Sequence, residues 1–497
     1  MPASLSTVDQ DQHTSRNLSA VEDLPGGAFL EGSWQLADRA QEVRNPEDGA
    51  LLGCVSTSTP ADVTRAVAYI RANLKQEWPL RSRREALEKA ARLLAEASAP
   101  FAALIASESS KTIREAEREV QRCTETLRLS AAAASVLGGE TLNFEDSPGG
   151  GNKIGWYSRK PVGVVAAVTP FNDPLNLVAH KLGPALIGGN GVVLKPSGRT
   201  PLTALAFVQL LLAAGVPAER LAVVAGGPGV AEALVTDPGI DLISFTGGPG
   251  TAESIAAAAG ARKIVSELGG NNATIVCADA DVAHAAEAIV AGAFGVAGQN
   301  CLSVQRVYAE ESVYQELVRR VTAGAQALKC GPKLDRTTDV GPLISDAEAE
   351  RVEAWVDEAR TAGAFVRTGG TRRNAYYEPT VLTDVPTYCR VIRDEVFGPV
   401  VSILPFREVG EAVRAANNTE YGLQAGVFTR SVEHALAIAE LLEVGAVVIN
   451  ETSDVRIDSM PFGGFKKSGV GREGVRYAVL EMTEPKSTII NLPERIL

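Results

Sequence analysis

The fold is decided by the apolar run Val162-Gly163-Val164-Val165-Ala166-Ala167-Val168, which ends in Thr169-Pro170. A run that is apolar at every position is typical of a strand buried on both faces of a sheet. Similar short runs follow it, and segments with helical periodicity separate them. We expect strands at 162–168, 192–194, 222–224, 242–245 and 263–265, and helices at 175–187, 202–214, 230–236 and 249–259. This alternation predicts a parallel, doubly wound α/β sheet that binds ligands at the carboxyl ends of its strands.

A second α/β unit is predicted from Ala273 onward, and it carries Cys301. Its strands are expected at 273–276, 305–308, 400–404 and 446–449, and its helices at 283–295, 313–328, 347–362 and 432–441. Ahead of the first sheet, apolar residues recur at intervals of three and four, which predicts three long helices at 60–78, 83–109 and 113–137.

Two further strand-like segments, 153–160 and 483–492, belong to neither unit. Exposed strand edges invite pairing, so we expect these segments to pair with each other and with a second subunit. The polar segment 1–20 has few apolar residues to bury and is expected to be a disordered tail. It lacks the basic start and the apolar run of a signal peptide.

Composition narrows the class of protein. The chain has 497 residues, of which 45% are hydrophobic, and is long enough for two or three domains. Its net charge of −12 argues against a nucleic-acid surface and against binding to anionic membranes, and no apolar run has the length of a membrane helix. The six cysteines form no CxxC pair, and we expect structural roles for His180 and His434, so no metal site is predicted. Without a disulfide framework, a reducing compartment such as the cytoplasm is expected.

The chemistry centres on two short segments, Glu267-Leu268-Gly269-Gly270 and Gly298-Gln299-Asn300-Cys301. A thiol that attacks a carbonyl and a carboxylate that activates water are the minimum set for oxidising an aldehyde through a covalent intermediate. Each has an ordinary alternative, since a lone cysteine is often a small buried hydrophobe and Glu267 could be a structural or capping carboxylate. Asn172, just past the first strand, could join the Cys301 N–H in stabilising an oxyanion, or could be a turn residue.

Three segments have the chemistry of a dinucleotide site. Gly247-Gly248-Pro249 follows a strand and opens a helix, whose N-terminus suits a pyrophosphate. Lys195 ends a strand, where its ammonium could bind ribose hydroxyls or point to solvent. Glu395 and Phe397 lie two residues apart in an extended loop. They could hold a ribose and cover a flat ring, or they could anchor the loop.

Taken together, these segments resemble the motifs of the aldehyde dehydrogenase superfamily over nearly the whole chain. The matching motifs are Thr169-Pro170-Phe171-Asn172, Lys195-Pro196-Ser197, Phe245-Thr246-Gly247-Gly248, Glu267-Leu268-Gly269-Gly270, Gly298-Gln299-Asn300-Cys301, Glu395-Val396-Phe397-Gly398-Pro399 and Pro461-Phe462-Gly463-Gly464. The resemblance implies Cys301 as the nucleophile, Glu267 as the general base and Lys181 as a proton relay. It implies an oxyanion hole formed by Asn172 and the Cys301 amide.

The same resemblance implies a bound NAD or NADP and names the residues that hold it. These are Thr169, Pro170, Phe171, Lys195, Ser197, Gly198, Arg199, Gly247, Gly248, Leu268, Glu395 and Phe397. Lys195 and Glu395 would bind the two riboses, and Phe397 would pack near the nicotinamide.

The implied architecture is an aldehyde dehydrogenase-like α/β fold with three parts. Residues 21–140 and 161–270 would form a Rossmann-like dinucleotide-binding domain, and residues 271–460 an α/β catalytic domain. Residues 141–160 and 461–497 would form a small β oligomerisation arm, from which a homodimer or homotetramer follows.

The cofactor motif departs from the family pattern at one position. Many NAD-using members carry a glutamate three residues after the lysine of the Lys-Pro-Ser motif, where this chain has Gly198 followed by Arg199. A lost carboxylate and an added cation remove the repulsion of a 2′-phosphate. We therefore expect NADP to be at least tolerated beside NAD.

The substrate is expected to be a small aldehyde. The chain resembles the subset of the superfamily that contains lactaldehyde, phosphonoacetaldehyde and non-phosphorylating glyceraldehyde-3-phosphate dehydrogenases. Arg122 and Arg456 match two of the three arginines that bind the anion in phosphate- and phosphonate-using members. The third position is Asn300, and Asp173 follows the oxyanion asparagine. One cation fewer and one carboxylate more favour a monoanionic or hydroxylated short aldehyde over a phosphate ester.

Three alternatives stay open. Glu115, Arg118, Glu119 and Arg122 could form one solvated, ion-paired helix face instead of contacting substrate. The enzyme could transfer the acyl group to coenzyme A, although members that do so usually lack the glutamate found at 267. The chain could also be a non-catalytic protein on this scaffold, against which the intact Cys301 argues.

Overall fold

The computed structural model describes Leu24 and residues 26–493, so the predicted tail 1–20 lies outside the described residues. The helices are α1 (Pro60–Asn73), α2 (Leu80–Glu96), α3 (Ser98–Glu108), α4 (Ile113–Ala132), α5 (Asn176–Gly188), α6 (Pro201–Ala214), α7 (Pro228–Thr236), α8 (Pro249–Ala259), α9 (Val282–Phe294), α10 (Glu311–Ala327), α11 (Asp346–Thr361), α12 (Arg390–Arg393), α13 (Val409–Asn417), α14 (Val432–Leu441) and α15 (Val475–Glu481).

The strands are β1 (Ala28–Leu30), β2 (Ser33–Gln35), β3 (Ala40–Arg44), β4 (Leu51–Ser56), β5 (Gly139–Leu142), β6 (Lys153–Pro161), β7 (Val164–Val168), β8 (Gly191–Lys195), β9 (Leu221–Val223), β10 (Leu242–Thr246), β11 (Lys263–Glu267), β12 (Asn272–Val276), β13 (Val304–Glu310), β14 (Phe365–Thr368), β15 (Arg372–Arg373), β16 (Tyr376–Tyr377), β17 (Thr380–Thr383), β18 (Val400–Phe406), β19 (Gln424–Phe428), β20 (Ala446–Ile449), β21 (Gly469–Val470) and β22 (Thr483–Asn491).

The first sheet has eight strands in the order β2-β1-β9-β8-β7-β10-β11-β21. Strands β9, β8, β7, β10 and β11 are parallel neighbours, and β1 and β21 add antiparallel edges. Alternate residues of β7 enter two different cores: Val165 and Ala167 pack on one face, and Val164 and Ala166 on the other. Helices therefore cover both faces, and the predicted doubly wound sheet is confirmed.

The second sheet has seven strands in the order β14-β17-β18-β13-β12-β19-β20. All neighbours are parallel except β14 and β17. Helices α9 and α10 pack on one face, and α13 and α14 pack on the other. The predicted second α/β unit is therefore present, with β14, β17, β19 and α13 as elements that the sequence patterns did not reveal.

A third sheet has three antiparallel strands in the order β22-β6-β5. The predicted pairing of the two isolated strands is confirmed, with a continuous register from Thr483 opposite Pro161 to Asn491 opposite Lys153. Pairing with a second subunit stays a prediction. The segment 461–497, assigned above to the oligomerisation arm, is described as far as residue 493. In that part β21 joins the first sheet and α15 packs on α5, so β22 alone contributes to the third sheet.

The N-terminal helices are shorter than their periodicity predicted. The segment 83–109 is broken at Ala97, and the two resulting helices are bent by 76°. Pro100 gives the physical reason, since its ring has no N–H and clashes with the preceding turn of a continuous helix. The helix predicted at 113–137 ends at Ala132 and continues as a 3₁₀ turn, and the one predicted at 60–78 ends at Asn73.

In the described part of the chain, no single helix is long and apolar enough to cross a membrane; by length and composition alone, the bent pair α2 and α3 passes the combined test.

The contact between β8 and α1 yields a stability prediction. A methyl group at Gly191 would overlap Ile70 Cγ2 of α1, whereas one at Gly229, in α7, meets no heavy atom within 4 Å. Overpacking costs about 1–3 kcal/mol, and replacing a helical glycine by alanine gains roughly 0.5–1 kcal/mol. Gly191→Ala should lower the Tm in differential scanning fluorimetry, and the control Gly229→Ala should keep or raise it. A Gly191→Ala protein with the parental Tm would contradict this packing.

Candidate active site

The functional residues surround one cavity of about 560 Å³ between the two large sheets. Strands β7, β10 and β11 end at its wall, which is the edge where a parallel sheet collects ligands. The predicted residues that line the cavity are Arg122, Pro170, Phe171, Asn172, Asp173, Gly247, Gly248, Glu267, Leu268, Asn300, Cys301, Glu395, Phe397 and Arg456. The predicted residues outside its lining are Thr169, Lys181, Lys195, Ser197, Gly198 and Arg199.

Cys301 sits at the end of a strained segment that follows α9. Val296 and Ala297 both have a φ of 52°, in the left-handed region that disfavours a β-branched residue. Glu115 Oε1 accepts the Val296 N–H at 2.8 Å, and Asn272 Nδ2 donates to the Cys301 carbonyl at 2.8 Å. Residues held in such sparsely populated conformations cluster at functional sites, and these contacts fix the backbone on either side of the thiol.

The Cys301 thiol is partly buried against the cavity. Burial raises its pKa to about 12, the Arg456 charge lowers it, and Glu395 and Glu267 raise it further. In the protein without ligands the sulfur is therefore held mainly as the neutral thiol.

Glu267 ends β11 and projects into the same cavity. Both of its carboxylate oxygens are buried and have no hydrogen-bond partner among the described residues. Burial raises the pKa of Glu267 well above its usual value, and the charge of Glu473 raises it further. An unpaired buried carboxyl with a raised pKa is suited to accept a proton from a ligand or water.

Lys181 lies beneath the cavity and not in its wall. Its ammonium donates to Ser244 Oγ at 3.2 Å and to Glu473 Oε1 at 2.9 Å, and the other Glu473 oxygen accepts from Arg456 at 3.0 Å. Burial alone would raise the pKa of Glu473, but the charges of Lys181 and Arg456 lower it to about 2. A buried ion pair therefore stands directly behind Glu267.

Asn172 lies in the loop after β7, on the cavity wall. Its side-chain amide forms no hydrogen bond to another residue in the described ranges, so the N–H groups remain free for a ligand. Asn172 and Cys301 line the same cavity, and a free amide N–H is the kind of donor that an oxyanion needs.

The end of β8 lies next to the end of β7 and carries polar groups with few partners. Val168 of β7 pairs with Lys195, whose ammonium has one long contact, to the Pro196 carbonyl at 3.4 Å, and whose pKa burial lowers. The Thr169 hydroxyl is buried without a described partner, and the exposed Gly248 begins α8 without a side-chain cap. Unsatisfied donors at a helix N-terminus and on neighbouring strand ends fit a dinucleotide.

Gly198 and Arg199 extend this groove. A Cβ at Gly198 would lie 2.9 Å from Gln41 Nε2, which already donates to the Gly198 carbonyl at 2.8 Å. Arg199 is exposed and forms no ion pair with any described residue. An exposed cation therefore directly follows Gly198 after the end of β8.

Glu395 and Phe397 bring a loop of the second unit over the cavity. Glu395 Oε1 accepts the Gly270 N–H at 3.0 Å, and burial raises the pKa of Glu395 to about 7. Phe397 has a φ of 47° and meets Phe171 edge to face, with ring centroids 5.9 Å apart. The loop thus joins residues from both sheets around the space next to Cys301.

Arg122 and Arg456 line the cavity but are already paired with carboxylates. Arg122 contacts Asp458 at 2.8 Å and Asp173 at 3.4 Å, and Asp173 also pairs with Lys111. The Arg456 guanidinium lies 4.0 Å from the Phe462 ring centroid, and its side chain is 9% exposed. Asp173, which the sequence suggested as a substrate residue, therefore also anchors two cations.

The alternative of a solvated face on α4 is wrong for Glu119. Its carboxylate is buried and accepts from Leu175 N, Asn176 N and Lys111 Nζ, at 2.8, 3.0 and 2.6 Å. Arg118, by contrast, is exposed at the cavity. The face turns inward because α4 packs against α5.

Sequence patterns missed Lys111, Asp454, Asp458 and Glu473, whose partners are distant along the chain. His180, expected to be structural, is buried with its Nε2 2.8 Å from Asp458. Burial lowers the pKa of His180, although Asp458 acts in the opposite direction.

No group of three or more metal-ligating side chains occurs within the described ranges.

Comparison with known proteins relates nearly the whole chain to one family. The model of the Aldehyde dehydrogenase family matches residues 34–488. The chain is 44% identical over 467 residues to 3-sulfolactaldehyde dehydrogenase of Priestia aryabhattai, covering 94% of this chain and 98% of that protein. It is 37% identical over 473 residues to lactaldehyde dehydrogenase of Methanococcus maripaludis, with coverages of 93% and 99%.

Solved structures agree with this assignment. The crystal structure of NADP-dependent glyceraldehyde-3-phosphate dehydrogenase from Bacillus halodurans C-125, complexed with NADP, matches with a TM-score of 0.92 and 36% identity. The match covers 94% of this chain and 99% of that one.

The raised pKa of Cys301 gives a prediction about its reactivity. Because only the thiolate is alkylated and burial raises the pKa to about 12, the rate of modification by iodoacetamide should rise about tenfold per pH unit between roughly pH 7 and 9. A cysteine in a short unstructured peptide, whose pKa is about 8.5, should depart from this slope and bend towards a plateau at about pH 9. Peptide mass spectrometry measures the rate at Cys301 in the ligand-free protein. A rate at Cys301 that bends with pH as the peptide rate does, approaching a plateau at about pH 9, would contradict the effect of burial.

Proposed function

This chain belongs to the aldehyde dehydrogenase family, and we propose that it oxidises a short aldehyde with an anionic or hydroxyl group to the carboxylic acid. It is an NAD(P)-dependent oxidoreductase. One observation carries the proposal for the site: Cys301 and the unpaired carboxylate of Glu267 line the same cavity. A nucleophile and a base that face one space can perform acyl formation and hydrolysis in sequence.

The proposed cycle begins at Cys301. The Cys301 thiol gives its proton to solvent as its sulfur attacks the aldehyde carbon, and the alkoxide that forms accepts hydrogen bonds from the Asn172 amide and the Cys301 N–H. The alkoxide becomes a thioester as its carbon loses a hydride, for which a bound nicotinamide supplies the acceptor. Glu267 then takes a proton from water as the water attacks the thioester carbon; the acid is released, and the proton on Glu267 passes to the departing sulfur and restores the thiol.

A buried pair acts on the charge of Glu267. Glu473 and Lys181 lie 2.9 Å apart, and the charge of Glu473 raises the pKa of Glu267 while that of Lys181 lowers it. In this proposal the pair tunes the base, and the relay role that the family resemblance implied for Lys181 stays a prediction.

The residues at the strand ends would hold the cofactor. Lys195 and Ser197 would bind one ribose and Glu395 the other, the N-terminus of α8 at Gly248 would face the pyrophosphate, and Phe397 would pack near the nicotinamide. The free charge of Arg199 supports the use of NADP, because it would attract a 2′-phosphate. NAD remains usable in this proposal, because the ribose contacts of Lys195 and Glu395 do not depend on a 2′-phosphate.

The paired arginines support a substrate with limited negative charge. Arg122 is half-buried and shares its charge with two carboxylates, so it would hold a monoanion more readily than a phosphate dianion. The related proteins are named for 3-sulfolactaldehyde and lactaldehyde, both short hydroxylated aldehydes and one of them anionic. Hydrolysis is favoured over transfer to coenzyme A, because Glu267 is present and faces the thiol.

We also propose a homodimer or homotetramer in the cytoplasm. The third sheet exposes apolar side chains, including Ile154 at 48%, Trp156 at 42% and Ile489 at 53%. Exposed apolar strands of this kind are covered in most proteins, and a second subunit is the expected cover.

Two substitutions test the roles of Cys301 and Glu267. Glu267→Gln should retain a burst approaching one reduced nicotinamide per subunit, since thioester formation does not use the carboxylate. Its steady-state rate should fall by about 10²–10⁴. Cys301→Ser should lose both the burst and turnover. Stopped-flow absorbance of the reduced cofactor measures the two phases, and an unchanged steady state in Glu267→Gln would rule out this base.

A third substitution tests the cofactor groove. Arg199→Ala should raise the KM for NADP about tenfold, because one exposed charge contact is lost. It should leave the KM for NAD unchanged. Arg319→Ala is a matched control, because Arg319 is exposed on α10 and forms no described ion pair. Equal effects on both cofactors would refute a 2′-phosphate contact at Arg199.

A further inference from the structure

We propose that Asp454 recognises a hydroxyl group of the substrate, so that the aldehydes preferred by this enzyme carry a hydroxyl between the aldehyde and the acidic end. The inference rests on the proposed function, since it assigns part of the same cavity. Asp454 lies in the loop after β20 and matches none of the motifs in the sequence.

Asp454 is held next to the nucleophile. Its Oδ1 accepts a hydrogen bond from Asn300 Nδ2, and Asn300 directly precedes Cys301. The Asn300 side-chain oxygen accepts the Leu302 N–H at 2.9 Å, so Asn300 is fixed at both ends of its amide. Asp454 is therefore held against the side chain of the residue that directly precedes Cys301.

Two glycines make room for this carboxylate. A Cβ at Gly292 would lie 3.1 Å from Asp454 Cβ, and one at Gly295 would lie 3.9 Å from Asp454 Oδ2. The Asp454 N–H donates to Thr452 Oγ1 at 3.4 Å. The end of α9 thus packs against Asp454, and the Asp454 side chain still lines the cavity.

Asp454 differs from the other carboxylates of the cavity wall in its partners. Asp173 is paired with two cations, Glu119 accepts three hydrogen bonds, and Glu115 is used by the N-terminus of α4 and by Val296. Asp454 forms no ion pair with a described residue, and its Oδ2 accepts no hydrogen bond from one. Glu267 and Glu395 also keep acceptor oxygens without a described partner, but these two are assigned above to catalysis and to the cofactor. Asp454 is therefore the carboxylate of this group that is left to accept from the substrate.

The surrounding charges indicate which donor it accepts. Burial raises the pKa of Asp454 to about 7, and Asn300 and the Arg122 charge act to lower it. Lys111 and Arg122 are already paired with Glu119 and Asp173 in the same cavity wall. Arg118 forms no ion pair with a described residue, so its charge favours an acidic group over an ammonium group in this space. A neutral hydroxyl can donate to Asp454 without this penalty.

Four probes separate the two substrate groups: propanal, 2-hydroxypropanal, 3-sulfopropanal and 2-hydroxy-3-sulfopropanal. The wild-type kcat/KM should favour each hydroxylated aldehyde over its partner by roughly tenfold or more, the value of a hydrogen bond to a charged group. The hydroxyl ratio is the kcat/KM of a hydroxylated aldehyde divided by that of its partner without the hydroxyl. Asp454→Asn and Asp454→Ala should bring this ratio close to one. The sulfonate ratio is the kcat/KM of a sulfonated aldehyde divided by that of its partner without the sulfonate. Arg122→Gln should reduce the sulfonate ratio and retain the hydroxyl ratio.

The matched control is Glu451→Gln, on the same loop but outside the cavity lining. It should keep the hydroxyl ratio of the wild type. Two Asp454 variants are compared because the alanine variant could fail to fold. The asparagine variant then keeps the test valid, since its amide retains the shape of the carboxylate. A hydroxyl ratio that both folded variants retain would overturn the inference.

An ammonium arm completes the test. Aspartate semialdehyde and succinic semialdehyde differ only by an ammonium group, and the wild type should show no preference for the former. An ammonium preference that Asp454→Asn removes would overturn the choice of a hydroxyl. Failure to oxidise any aldehyde with either cofactor would instead overturn the proposed function, so the two failures are distinguishable.

Discussion

A chain of alternating charges holds the walls of the cavity together. It runs through Lys111, Asp173, Arg122, Asp458, Arg456, Glu473 and Lys181. Each charge in the middle of the chain has a neighbour of opposite sign on either side. Because an unpaired buried charge costs several kcal/mol, this pairing favours a single arrangement of α4, α5 and the loop after β20. The position of the substrate relative to Cys301 depends on that arrangement.

The groups assigned to the chemistry depart from two general preferences of folded proteins, for paired buried polar groups and for right-handed or extended backbone conformations. Among the described residues Glu267 is buried without a hydrogen-bond partner and the Asn172 amide has none, and Val296 and Phe397 have left-handed backbones. Such departures are costly in free energy and persist only where the surrounding structure enforces them. Here the pairing of β11 with both β10 and β21, together with the packing of α9, supplies that enforcement.

The apolar runs predicted the central strands well, because a strand buried on both faces must be apolar at every position. The break in 83–109 was missed because amphipathic periodicity continues across it, although Pro100 forbids one straight helix. Strand β1 was missed because it has only three residues, and β2 to β5 were missed because they are short and partly exposed. Such strands depend on their neighbours more than on their own residues. The inward turn of Glu119 was missed for a similar reason, since its burial requires α5.

The sequence by itself determined the two α/β units and the residue types of the reacting groups, because strand burial and motif chemistry are local properties of the chain. Only the tertiary structure decided which charges meet. Arg122 and Asp458 are 336 positions apart, and Asp454 reaches Asn300 across 154 positions. Contacts of this kind leave no local pattern, because the partners come together only when α4, the nucleophile segment and the loop after β20 pack around the same cavity.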